Sequence, residues 1–176
     1  MSEIAKDCCM SAGNIYRFFS SKIDIAEAMA RQYNAERYQA YSKIARSDGP
    51  ASQRLRRVFH DDLTQIYETI EREAKILEVA EVLGEERPLF MNEGLAQERI
   101  YLCVILEDGV EKGEFAPIAD YNYTAEMIQS ALMKFRFPQL FSRLTLPKLR
   151  RELNGALDII IAGLRHGVEK PPETEH

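Results

Sequence analysis

Cysteine is scarce in this chain: there are three, and two of them, Cys8 and Cys9, are neighbours, which rarely bridge one another. No disulfide framework is expected, and a reducing cytoplasm suits such a sequence. Apolar runs are short. None approaches the roughly 18 uninterrupted residues of a membrane span, and no basic segment leads into an apolar stretch as in an export signal. A soluble, unexported protein without a membrane partner is therefore expected. Internal repeats and low-complexity segments are absent from the sequence. Nor does it offer a convergent nucleophile, base and oxyanion set, so no catalytic residue, no cofactor and no enzyme activity is expected.

Two clusters invite chemistry and are better read otherwise. Thiols at Cys8 and Cys9 stand near Lys6, which would favour ionisation. No third ligand follows at metal-like spacing, however, so no metal is assigned and packing is the expected role. His60-Asp61-Asp62 looks like an acid-base or metal trio, but on a helix only residues three or four apart share a face. A solvated face is expected there, and likewise for Glu71, Glu73, Glu78, Glu81, Glu85 and Glu86.

The 176 residues are 45% hydrophobic and 29% charged, enough to bury a real core in one or two packed units. The net charge of −5 is unevenly spread: residues 1–60 carry +4 and the remainder −9. That split suggests a lobe facing nucleic acid joined to one that avoids phosphates. Apolar residues recur at three and four along several stretches, the mark of helices with one buried stripe. The first such helix runs from Ser2 to Cys8, with Ile4, Ala5 and Cys8 on one side. Ser11 then caps a short helix from Ala12 to Phe19, with Ile15, Phe18 and Phe19 inward and Ala12, Gly13, Asn14, Tyr16 and Arg17 outward.

Further helices are expected over Lys22–Arg46, Ala51–Glu71, Glu73–Leu83, Leu89–Lys112, Asp120–Phe135 and Pro147–Gly167. Gly84 and Pro88 stop the fourth of the helices after Ser2, and Pro138 limits the one ending at Phe135. Ser47-Asp48-Gly49-Pro50 breaks the chain between an N-terminal unit (1–46) and a helical unit (51–168), followed by a frayed tail (169–176). The last helix is apolar over more than half its girth, with Gly155, Ala156, Ala162 and Gly163 permitting close approach of a second copy.

The run IAKDCCMSAGNIYRFFSSKIDI resembles the helix-turn-helix signature of the TetR/AcrR family of bacterial regulators, matching it at Ile4, Ala5, Ser11, Gly13, Tyr16, Phe19, Ser21 and Lys22. It departs at Cys9, where the family turn usually has Gly, and at Asn14, where Thr or Ser is commoner. In that family another helix precedes the position of Ser2, so the first helix is expected to be missing from this sequence.

The resemblance implies an all-α fold: an N-terminal helix-turn-helix DNA-binding domain and a C-terminal ligand-binding and dimerisation domain. It further implies Tyr16 and Lys22 on phosphates, with Ser11, Ala12, Gly13, Asn14 and Arg17 near base edges of a double-stranded operator. It implies a homodimer paired through the last two helices, about 121–136 and 147–167. A small-molecule effector would sit between helices of the second unit, with Phe59, Leu63, Tyr67, Tyr101, Leu102 and Met127 as candidate contacts. A ligand-released repressor of bacterial transcription is the expected function. The alternative is a ligand-binding or dimerisation module that no longer binds DNA.

Overall fold

Ser11 opens the first helix. The computed structural model describes residues 11–73, 76–137, 140 and 143–167, and every regular element among them is helical, the class expected. The expected helix from Ser2 to Cys8, the turn at Cys9, the side chains of Ala12 and Ile15, Pro138 and the tail from 169 lie outside the described residues. Ser11 Oγ accepts from Asn14 N at 3.2 Å and starts α1, Ala12–Tyr16. This helix ends three residues before the expected Phe19. The cause lies just ahead: Ser21 is extended (φ −146°, ψ 169°), so the chain must leave helical geometry first. Phe18, expected inward, consequently sits in the turn and is 71% exposed.

The Ser21 hydroxyl accepts from Asp24 N at 3.2 Å, and the Asp24 carboxylate accepts from Ser21 N at 2.9 Å. This reciprocal cap satisfies two backbone donors and starts α2, Lys22–Ala45. Gly49, at φ 107°, turns the chain into α3, Ala51–Arg72. The α3 N-terminus has no side-chain cap from its own N-cap residue, Pro50. Glu114 does that work from far along the chain, accepting from Ala51 N at 2.5 Å and Ser52 N at 3.1 Å.

Helix α4 spans Ile76–Glu86 and passes straight through Gly84, which had been expected to stop it. An interior glycine weakens a helix by only about 1 kcal/mol. What ends α4 is Pro88, which disfavours helical geometry at Arg87 (φ −133°, ψ 57°) and then begins α5, Pro88–Glu111. Asp120 accepts from Tyr123 N at 2.9 Å to start α6, Tyr121–Ala131; the expected single helix to Phe135 tightens after Leu132 into a 3-10 turn, Met133–Phe135. Helix α7 runs Leu146–His166 and ends at Gly167, φ 99°.

The core is built from α3, α5, α6 and α7: Leu55, Leu63, Leu102, Leu106, Ala125, Ile128, Leu149, Leu153, Leu157 and Leu164 are all essentially buried. Each leucine or isoleucine among them contributes about 1.5–3 kcal/mol. Close to Gly109 the fit is tight enough that an added Cβ would clash with the Phe115 ring. Helix α2 joins this core only through Tyr41, Ile44 and Ala45 at its C-terminal end. Its N-terminal turns, which carry α1, are held by other means.

Candidate nucleic-acid interface and its supports

The sequence-predicted DNA contacts that are described lie on α1, just before or after it, and at the first residue of α2. Ser11, Gly13, Tyr16, Arg17 and Lys22 are exposed and Asn14 is half-buried. Tyr16 is 55% exposed, and among the described residues nothing lies within 4 Å of where a Gly13 Cβ would be. Part of the positive charge of residues 1–60 is paired with the acidic remainder. Arg37, Arg54 and Arg56 from the first 60 residues pair with Asp62, Glu98, Asp108 and Asp158 from the remainder.

Beneath α1, the start of α2 is tied to the junction of α4 and α5. Arg87 donates from Nη2 to Asp24 Oδ1 at 3.0 Å and from Nε to Glu27 Oε2 at 3.1 Å. Its Nη1 reaches the carbonyl of Glu86 at 3.2 Å. Asp24 is held below the usual carboxylate range by the hydrogen bond with Ser21 and by Arg87. Glu27 is lowered by Arg31 first and Arg87 second. Arg31 also stacks over Phe90, 4.9 Å from the ring centroid.

Deeper along α2 lies a buried ionic cluster that the sequence reading missed. Arg37 pairs with Asp62 at 3.3 Å and with Glu98; Arg136 pairs with Asp62 at 3.5 Å and with Glu98 at 2.5 Å. Gln129 Nε2 adds a hydrogen bond to Glu98 at 3.1 Å. Asp62 was expected on a solvated face and is only 2% exposed. It falls three residues after Phe59 and seven after Leu55, on the apolar stripe of α3, and that position was the available signal. Glu98 likewise shares the stripe of α5 with Leu102. Of the other two, Asp61 is exposed and His60 Nε2 lies 2.8 Å from Asn154 Oδ1. Glu71, Glu73, Glu78, Glu81, Glu85 and Glu86 are all exposed, as expected.

The candidate effector contacts divide. Phe59, Leu63 and Leu102 are buried in the core, and Tyr67 and Tyr101 pack against it. The Tyr101 ring lies 6.3 Å from that of Tyr38 and 6.4 Å, edge-on, from that of Tyr41. Burial pushes the phenols of Tyr38 and Tyr41 up. Met127, on α6, is 42% exposed. An open cleft of about 600 Å³ lies elsewhere, lined by Gly49, Pro50, Ser52, Gln53, Lys112, Glu114 and Arg165, and none of the six candidates borders it. Among the described residues no three His, Cys, Asp or Glu side chains come together as metal ligands, and no helix is long and apolar enough to cross a membrane.

Residues 51–156, from the start of α3 into α7, match the family described as tetracycline repressor-like, C-terminal domain. The chain belongs to that family. No curated protein and no solved structure matches it. The matched segment of this TetR-like chain holds Asp62, Glu98, Arg136 and all six candidate effector contacts. It does not overlap residues 4–25, which carry the resemblance noted in the sequence.

Proposed function

We propose that this TetR-like chain is a bacterial, cytoplasmic transcriptional regulator, a repressor that binds a palindromic operator as a homodimer and is released by a small molecule. The observation that carries this reading is the exposure of Gly13 and Tyr16 on a capped helix, and of Arg17 just after it, ahead of α2. In this reading α1 enters a major groove, with Tyr16 and Lys22 on phosphates and Asn14 and Arg17 at base edges. Two-fold symmetry then sets half-sites about 34–36 Å apart, or a multiple of that. The twin helices are α6 and α7. Supporting this, Ile159 is 76% exposed and Met127 42%, and among the described residues nothing lies within 4 Å of a Cβ added at Gly155 or Gly163. The effector must bind the non-operator conformation more tightly, since equal affinity shifts nothing.

The test begins by recovering bound genomic fragments from a random pool, followed by titrations on specific and scrambled duplexes at two salt concentrations. Tyr16→Phe and Lys22→Ala should weaken binding to every duplex, and Arg17→Ala should reduce discrimination at one base pair by about 1–3 kcal/mol. Full affinity in all three variants defeats the assignment. Failure of the wild type to retain any fragment favours the module without DNA binding, a reading in keeping with a family match confined to residues 51–156.

A further inference from the structure

Arg87 occupies a place where local structure gives no net reason for a cation. It follows the last turn of α4, whose carbonyl end favours positive charge, but it is also the N-cap of α5, whose amide end disfavours it. Nor does arginine cap a helix N-terminus with its side chain, as Ser, Thr, Asp or Asn would. Every nitrogen of its guanidinium is nevertheless engaged: Nε on Glu27, Nη2 on Asp24 and Nη1 on the Glu86 carbonyl. The two carboxylates sit on the first and second turns of α2.

Asp24 is the decisive partner because it faces two ways. One oxygen takes Arg87, and the other takes the backbone N–H of Ser21, the residue through which the chain passes from α1 into α2. A single carboxylate thus joins the α4–α5 junction to the root of the exposed head. Pro88 fixes the start of α5, and α5 carries Glu98 of the buried cluster and the candidate effector contacts Tyr101 and Leu102. Helix α5 is continuous between them. We propose that Arg87 is a positioning residue for DNA recognition: its fork across Asp24 and Glu27 sets the orientation of the α1 head relative to the effector domain. Its consequence for DNA rests on the regulator reading above; the clasp itself does not.

The test uses the full chain and two readouts. In DNA-free protein, amide hydrogen exchange at Asn14, Arg17, Ser21 and Asp24 is compared among the wild type, Arg87→Gln, Arg87→Lys and Asp24→Asn. Asp24→Asn keeps an amide oxygen for Ser21 N–H while giving up the charge that meets Arg87. Arg87→Gln and Asp24→Asn should each speed head exchange roughly three- to tenfold. The double variant should be no faster than the faster single, and Arg87→Lys should recover only part of the protection, because an ammonium keeps the charge without the rigid planar fork. In the second readout, duplexes recovered by the wild type should bind Arg87→Gln several-fold more weakly, with little change for scrambled duplex.

Head exchange unchanged while amides of residues 88–94 and the thermal midpoint shift would make Arg87 a merely structural residue and overturn the proposal. Faster head exchange with full operator affinity overturns the positioning role. If the wild type binds no duplex, the regulator reading fails and the exchange experiment still decides the clasp. Should Arg87→Gln fail to fold, Arg87→Lys and Asp24→Asn carry the comparison.

Discussion

Helix α2 is tied to the rest of the protein twice by the same chemistry in different surroundings. Near its middle, Arg37 and its partners Asp62 and Glu98 are 12% exposed or less; near its start, Asp24, Glu27 and Arg87 are 20–35% exposed. Roughly 20 Å of helix separates the two. Buried ions lose several kcal/mol of hydration each and persist only with good partners, so removing one partner is drastic. Half-exposed pairs contribute far less and weaken with salt. Arg54 adds to the deep fixation by donating to the Ala45 carbonyl at 2.7 Å, at the C-terminal end of α2. A rod fixed at one end and lightly held at the other can pivot, and the light end carries the exposed head.

The largest expected effect comes from breaking the deep end. Asp62→Ala leaves Arg37 and Arg136 facing Glu98 without the second carboxylate. A loss of about 3–5 kcal/mol in denaturant unfolding is expected, while replacing Arg37, Asp62, Glu98 and Arg136 together by apolar residues of similar volume should be close to neutral. A loss well under about 1 kcal/mol for Asp62→Ala would mean the cluster behaves like a surface pair, and the contrast between the two ends would vanish.

Next in size, pH should attack the two ends from opposite sides. Burial, with Asp62 nearby, pushes the Tyr41 phenol well above its ordinary value. An unfolded tyrosine ionises near about pH 10, so the folded chain keeps a proton that the unfolded chain loses, and stability falls as pH rises beyond that. Asp24 and Glu27 are held low, so what they add is present above about pH 4–5 and is lost as pH falls through their folded values. Alkaline unfolding followed by far-UV circular dichroism should therefore move to higher pH in Tyr41→Phe, whereas Asp24→Asn should leave that limb in place. Identical alkaline limbs for wild type and Tyr41→Phe would remove Tyr41 from the account.

What could be read in the sequence divides along the same line, between local and distant causes. Ser11, Ser21, Asp120, Pro88 and Gly167 act on their own neighbours, and the helices they bound were legible to within a few residues. Gly84 misled because an interior glycine weakens a helix without ending it. The end of α1 was set by the cap that begins α2, and Phe18 was misplaced with it. Asp62 was readable in principle, as a charge on an apolar stripe. Its partner Arg136 lies beyond the last regular turn of its segment, and Glu114 caps α3 from 63 residues away; no periodicity records such meetings. For the head, the motif supplied the residues, and the structure adds what stands behind them: Arg87 carried no motif.

The smallest effect tests the contrast most directly because it changes no residue. Raising ionic strength from about 0.05 to 0.5 M shortens the screening length from roughly 14 to 4 Å, which weakens charges that water can reach and leaves buried ones nearly untouched. Exchange at the Ser21 and Asp24 amides should therefore quicken about two- to threefold, in line with an exposed pair, while amides around Tyr41 and Leu63 hold their rates. A pivot needs that asymmetry. Equal acceleration at both ends would show α2 loosening as a whole, and no response at either would show the head held by packing at Phe90 and Arg31 rather than by the Arg87 clasp.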